Sequence, residues 1–440
     1  MKAHLVQAAF FIVLSFSAIC HAQTPPNQSQ IPTLPAPSGK FGVGRTAFDW
    51  TDRNRSGDMA EDRGPNAELM VYLWYPTKHP SSEAKGVLFP GAKQIDAAGI
   101  SEALKGKVFG GNWSLVVSGA INSHAQENAP LAKAPKNFPV VLFSPGAFGS
   151  CFQYSSKIED LVSHGYIVAA VEHTSEVFGE IFSDGKTHIY SARQIPKQSI
   201  PPPDASKEDY ETYLEAWYRH NVDVRANDLS FVLTKLIELD AAPRKSSQFS
   251  GRIDLSHVGV VGHSRGGWAA IVACRRDVRF KACVNEDGNA GGQGLQYPGA
   301  EVPKQSILYV EVSPVLKPST TQEDWIVLKQ LHMTAEQWMQ QWHETVNNEF
   351  RGFPAGGYFV QLKVPSLVHY SFSDEVLLQA AKDGEEEKEA EALRDLQLTE
   401  NITRTFLDTV LKDKTQNILH DNASMTITYF APEKQSSPNP

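Results

Sequence analysis

Short apolar runs closed by turn formers alternate along this chain with stretches whose apolar positions recur at helical spacing. Leu69-Met70-Val71-Tyr72-Leu73-Trp74-Tyr75 ends at Pro76, Phe138 to Ser144 ends at Pro145-Gly146, and Tyr166 to His173 is nearly continuous in apolar residues. Runs without polar alternation fit strands covered on both faces, as in a mostly parallel sheet. Val258-Gly259-Val260-Val261, Phe280 to Val284, Ile307 to Val310 and Tyr358 to Val364 read as further strands. Asn221 to Leu236 places Val222, Ala226, Leu229, Val232, Leu233 and Leu236 on one helical stripe. Trp338, Trp342, Val346 and Phe350 repeat every four residues and read as core packing, while Ile402, Phe406, Val410 and Leu411 mark a helix near the end. Strands alternating with helices predict an α/β fold: a doubly wound, mostly parallel sheet with helices on both faces and sites at the carboxyl ends of its strands.

We read one domain over residues 40–432, although 440 residues would also hold two or three average domains. Residues 1–22 read as a signal peptide: Met1-Lys2-Ala3-His4 leads an apolar stretch from Leu5 to Ile19, with cleavage after Ala22. That stretch is short of the roughly 20 apolar residues that span a bilayer. The expected destination is secreted or periplasmic, with a membrane anchor or a lipoprotein signal at Cys20 as alternatives. Residues 23–39, rich in Pro, Gln and Ser, read as a flexible leader, and 433–440 as a loose tail. Residues 174–218, with Pro201-Pro202-Pro203 in their middle, form a long excursion of the kind that covers active sites as a lid. Its pairs Val177-Phe178 and Ile181-Phe182 fit a lid, a lipid-contacting surface or the core. No later apolar run approaches spanning length, and Glu385-Glu386-Glu387-Lys388-Glu389 reads as a solvated helix surface.

A net charge of -9 with no basic stretch argues against a nucleic-acid partner. Without the signal, Cys151, Cys274 and Cys283 permit one disulfide at most. Cys274 and Cys283 fall on a helix and the following strand, which leaves both a disulfide and two buried thiols open.

The chemistry centres on Gly262-His263-Ser264-Arg265-Gly266, which follows a strand and opens a helix. In that context the glycines allow a tight turn that holds the serine hydroxyl clear of the sheet, making Ser264 a candidate nucleophile. A serine hydroxyl needs a base, and the base needs an orienting acid. His369 follows the last predicted strand of the core and is the leading base. For the acid, Asp287 and Glu311 each follow a strand, and spacing barely separates them; Asp374 is a weaker third, more plausible as a local cap. The oxyanion of acyl attack needs backbone donors. The N–H of Arg265 is one, and the turn Pro145-Gly146-Ala147-Phe148-Gly149 offers Ala147 as the other. His173 ends a strand and fits either the pocket wall or a structural role. Glu172-His173 and His343-Glu344 lack a second ligand at H-E-x-x-H spacing, so neither a metal nor a cofactor is expected.

Phe143-Ser144-Pro145-Gly146, Tyr154-Ser155 and Leu161 to His173 closely resemble the secreted platelet-activating-factor acetylhydrolases of the α/β-hydrolase type. Gly262-His263-Ser264 with Gly266-Gly267, the Asp287 loop, and His369 with Phe372 and Asp374 follow the same pattern in order, over roughly residues 65–375. The resemblance implies an α/β-hydrolase fold with Ser264 as nucleophile, Asp287 as acid, His369 as base, and Ala147 and Arg265 as oxyanion donors. Two positions depart from it. Pro145 stands where the family usually has His, and Arg265 stands where it usually has an aromatic residue, which places a cation beside the acyl site. The expected function is a secreted serine carboxylic ester hydrolase, needing no cofactor, that takes short-acyl esters or phospholipids and touches lipid at most peripherally. A cutinase-like polyester hydrolase is the alternative within the class, ahead of a peptidase. A catalytically inactive hydrolase-fold binding protein is the alternative outside it.

Overall fold

The computed structural model describes residues 31–56, 66–78, 86–174, 176–189, 206–288, 305–312, 357–414 and 419–430, with single positions between 334 and 340. The strands are β1 (Gly42–Ser56), β2 (Asn66–Thr77), β3 (Gly86–Val87), β4 (Asn122–Ser123), β5 (Ala125–Glu127), β6 (Phe138–Ser144), β7 (Ile167–Val171), β8 (Gly179–Ile181), β9 (Thr187–Ile189), β10 (Ile253–His263), β11 (Ala282–Glu286), β12 (Ser306–Val312), β13 (Gly357–Leu362) and β14 (Met425–Phe430). Ten of them form one sheet in the order β14-β13-β12-β11-β10-β6-β7-β2-β1-β5, and β3-β4 and β8-β9 are separate pairs. The stretch from β13 to β7 is parallel throughout, and the antiparallel pairings lie towards the edges, at β14, β2 and β1.

The apolar runs behave as two-faced strands. In β6, Phe138, Val140 and Leu142 enter one core while Val141 and Phe143 enter the other, and β7 divides in the same way. One face is covered by α4 (Ser155–Ser163) and α8 (Glu386–Leu411), the other by α5 (Lys207–Ala241) and α6 (Arg265–Arg276). Shorter helices are α1 (Ala92–Ala97), α2 (Glu102–Lys105), α3 (Trp113–Ser118) and α7 (Glu375–Asp383). All six residues of the Val222 to Leu236 stripe on α5 are buried, as are Ile402, Phe406 and Leu411 on α8. The acidic residues 385–388 are exposed. The aromatic stripe at 338–350 lies outside the described residues, as do residues 1–30, 190–205 and 431–440.

Two expectations change, on the excursion and on the leader, and two open readings close. Helix α5 begins at Lys207, capped by the Ser206 side chain, so residues 207–218 of the excursion have helical backbone. Of its apolar pairs, open by sequence between lid, lipid surface and core, Val177, Phe178 and Phe182 are buried and Ile181 is half-buried against the same core, with Phe178 edge to face with Phe89, Phe109 and Trp113. Residues 31–39 of the leader pack on the domain rather than hanging free, with Leu34 buried and the Ser38 hydroxyl donating to Asp160 at 2.7 Å. Cys274 on α6 and Cys283 on β11 form a disulfide, while Cys151 is a buried thiol that donates to Glu172. Among the described residues no helix is long and apolar enough to cross a membrane.

Candidate active site

Because β6, β10, β11, β12 and β13 run parallel, their carboxyl ends share one edge of the sheet, and the chemistry-bearing residues gather there. Ser264 follows β10 with φ 56° and ψ -125°, a conformation that residues with a Cβ rarely adopt, and α6 starts at the next residue. The flanking glycines are steric requirements of this turn. A Cβ at Gly262 would sit 2.1 Å from the Gly266 carbonyl oxygen, and one at Gly266 would sit 2.1 Å from that of Ser144. The turn is also tied to the next strand, since the Ser264 N–H donates to the Glu286 carbonyl at 2.8 Å.

His369 reaches the serine from the loop after β13. Its Nε2 lies 3.0 Å from Ser264 Oγ, and its Nδ1 lies 2.6 Å from Asp287 Oδ2. The Asp287 backbone, at φ 49°, is braced by its N–H donating to Val310 at 2.7 Å, and its Oδ1 accepts the Val312 N–H at 3.0 Å. A carboxylate bonded to Nδ1–H sets the tautomer in which Nε2 accepts the serine proton. Glu311 is not part of this chain of bonds; its Oε1 accepts from Gln361 on β13 at 2.9 Å. Asp374 stands at the N-terminus of α7, where its Oδ2 accepts the Ser156 N–H, and burial pushes its carboxyl up to about 7.

Two residues whose roles the sequence did not disclose brace the site. His263 Nε2 faces the His369 carbonyl at 2.8 Å and must donate, so its Nδ1 accepts, and the Tyr154 hydroxyl donates to it at 2.8 Å. The same hydroxyl accepts the Gly146 N–H at 3.0 Å. One buried relay thus joins the turn after β6, the elbow and the His369 loop. Burial, then the neighbouring His369 and Lys157, holds His263 well below the ordinary histidine range. The relay therefore uses a neutral ring. Beneath it, Lys157 pairs with Glu286 at 2.5 Å, and Thr403 donates to the other Glu286 oxygen at 2.6 Å. The only local signal for the relay was position: His263 adjoins Ser264, and Tyr154 lies in a stretch that carried the resemblance.

Ala147 lies in the turn after β6, as expected. Behind that turn, Arg225 donates to the carbonyls of Pro145 at 2.7 Å and Gly146 at 3.3 Å. Glu176 pairs with Arg225 at 2.5 Å and with Arg265 at 2.8 Å, and the Arg265 guanidinium also lies 5.5 Å from the centre of the Phe148 ring. Burial raises the Glu176 carboxyl, but the two arginines outweigh it and hold the group at about 2. The expectation of a cation beside the acyl site did not include this partner: Arg265 shares the buried Glu176 carboxylate with Arg225. His173 takes the structural role, the alternative to the pocket wall. It is 1% exposed, with Nδ1 on Asp228 at 2.7 Å and Nε2 on Ser144 Oγ at 2.9 Å. Among the described residues no group of three or more His, Cys, Asp or Glu is placed to hold a metal ion.

Comparison with known proteins gives this geometry a context. The ferulic acid esterase of Streptomyces cinnamoneus superposes with a TM-score of 0.62 at 24% identity, over 91% of this chain and 99% of that one. The sheet order and the helices on both faces are those of an α/β-hydrolase fold. A platelet-activating factor acetylhydrolase of Cavia porcellus is 27% identical over 273 residues, 58% of this chain and 55% of that protein, so the chain spans about half the length of that relative. A probable 1-alkyl-2-acetylglycerophosphocholine esterase of Arthroderma benhamiae is 24% identical over 400 residues, 86% of this chain and 87% of that protein. The family model for platelet-activating factor acetylhydrolase, isoform II, matches residues 27–289, a span of more than half the chain that holds the elbow, the turn after β6 and Asp287. The chain belongs to the platelet-activating factor acetylhydrolase, isoform II, family.

Proposed function

We propose that this protein is a serine carboxylic ester hydrolase that forms an acyl-enzyme on Ser264. The observation that carries the reading is the continuous chain from Ser264 Oγ through the His369 ring to Asp287, at 3.0 and 2.6 Å, on a strained turn at the edge of the sheet. His369 Nε2 takes the proton as Ser264 Oγ attacks the ester carbonyl carbon, and Asp287 stabilises the imidazolium through Nδ1–H. The N–H groups of Ala147 and Arg265 receive the oxyanion. Collapse of the tetrahedral intermediate breaks the bond to the alcohol, which leaves with the proton from His369. Water then loses a proton to His369 and attacks the acyl carbon, and as the bond to Oγ breaks His369 returns that proton to Ser264, releasing the carboxylic acid. Every step uses groups of the chain.

For the substrate, we propose short-acyl esters, with 2-acetyl phospholipids among them. The activities named for the Cavia porcellus and Arthroderma benhamiae relatives, an acetylhydrolase and a probable 1-alkyl-2-acetylglycerophosphocholine esterase, support this. Residues 1–22 act as an export signal in this reading, and 40–432 as one catalytic domain that works outside the cytoplasm.

Purified mature protein should hydrolyse short p-nitrophenyl esters. Ser264→Ala should lower kcat on the order of 10⁴-fold or more while leaving the circular dichroism spectrum unchanged. Retention of the wild-type rate overturns the mechanism. An ester panel that varies acyl length and head group, with a polyester included, ranks the substrate classes; a preference for polyester replaces the phospholipid reading with a cutinase-like one.

A further inference from the structure

We propose that Arg225 is a positioning residue for the oxyanion site: it holds the Gly146–Ala147 peptide from behind and, through Glu176, sets that peptide against the nucleophile elbow. The inference rests on the acyl-transfer reading above. In a trans peptide the C=O and the following N–H point in opposite directions. Fixing the Gly146 carbonyl therefore fixes the direction of the Ala147 N–H. Two donors hold that carbonyl, Arg225 Nη2 at 3.3 Å and the Gly149 N–H at 3.1 Å. The preceding Pro145 carbonyl takes Arg225 Nη1 at 2.7 Å, and the Gly146 N–H is held by Tyr154 at 3.0 Å. The turn is thus pinned on three backbone groups next to Ala147.

Arginine suits this place because its planar fork serves several acceptors at once. While Nη1 and Nη2 reach the two carbonyls, Nε and Nη2 meet Glu176 Oε2 at 3.0 and 2.5 Å. The group is 1% exposed, so its charge needs a buried partner. Glu176 supplies it, and its other oxygen meets Arg265 Nη1 at 2.8 Å. The two pieces of chain that each contribute an oxyanion donor, the turn at Ala147 and the start of α6 at Arg265, are therefore tied by one carboxylate. That bridge sets their separation before substrate arrives, which is what oxyanion stabilisation requires.

The test is steady-state hydrolysis of p-nitrophenyl acetate by the full mature chain carrying Arg225→Ala or Glu176→Gln, with Ser264→Ala in parallel and folding followed by circular dichroism. We expect Arg225→Ala to lower kcat by about 10²-fold, the scale of losing one oxyanion donor, with KM within about twofold. Millimolar methylguanidinium should restore at least about tenfold of the loss. A folded Arg225→Ala protein with kcat near wild type, or with its loss confined to KM, overturns the proposal. If Arg225→Ala does not fold, Glu176→Gln, which keeps the side-chain shape, decides by the same kcat and KM criterion. An active Ser264→Ala overturns the acyl-enzyme reading itself. An inactive Ser264→Ala beside a fully active Arg225→Ala overturns the positioning role alone.

Discussion

His263 donates from Nε2 to the main-chain carbonyl of His369 across 2.8 Å, so the side chain preceding the candidate nucleophile holds the backbone of the candidate base. The other ring nitrogen accepts from Tyr154, whose hydroxyl in turn accepts from Gly146. Removing the hydroxyl leaves a buried ring nitrogen and a buried N–H without partners. Tyr154→Phe should cost about 1–3 kcal/mol of unfolding free energy in urea titrations. It should also lower kcat for p-nitrophenyl acetate more than it raises KM, because both the turn and the His369 loop lose a brace. Unchanged kcat in a folded variant would count against the relay.

The acid is decided by comparing two carboxylates. Asp287→Asn should lower kcat by about 10³- to 10⁴-fold, since an amide opposite Nδ1 favours the wrong imidazole tautomer. Glu311→Gln should leave kcat within about threefold, because Glu311 faces Gln361 and not the histidine. The reverse ranking in steady-state assays would move the role to Glu311.

Asp374 makes stability depend on pH. Burial, opposed by its bonds to Ser156, raises its carboxyl from an ordinary 3.8 to about 7. The native state therefore binds the proton more tightly than the unfolded chain. Its contribution is fully present below about pH 4 and is lost as pH rises to about 7. Asp374→Asn imitates the protonated form and removes this dependence. Urea titrations should show the variant gaining on the wild type between pH 4 and 7, by up to about 4 kcal/mol, with no further change above. A gap that is flat with pH would refute the shift.

The Cys274–Cys283 disulfide closes a sequence separation of 9 between α6 and β11. The paired Cys274→Ala and Cys283→Ala protein should lose about 2–3 kcal/mol, measured by denaturant unfolding against the oxidised wild type. Equal stability would show that the bond adds nothing to this domain.

Much of the scaffold was legible because its signals are local. Apolar runs such as Phe138 to Ser144 fit strands covered on both faces and the Val222 to Leu236 stripe fits one face of a helix, and both are built that way. The glycines at 262 and 266 announced a turn with no room for side chains, and the turn is built that way. The excursion was harder. Its residues 207–218 carry no clean stripe, and the apolar pairs around Phe178 have no periodicity that tells a lid from a core.

By itself the sequence determined the strands β2, β6, β7 and β10 to β13, the mostly parallel sheet and the tight serine turn at the end of β10, since hydrophobic period and turn sterics act over a few residues. Spacing leaves Asp287 and Glu311 level and the resemblance implies Asp287; only the tertiary structure decided where Arg265 finds its partner, whether Cys274 finds Cys283, and what holds the turn at Ala147. Asp287 and Glu311 both read as following strands, but Glu311 lies within β12, and Asp287, after β11, lies on Nδ1, with the Val312 N–H on its other oxygen. Arg225, Glu176 and Arg265 are spread over three segments and meet only when α5 and α6 pack on the sheet. Hydrogen bonds and ion pairs are short-ranged in space rather than along the chain, so pairings of this kind exist only once the sheet has set its register.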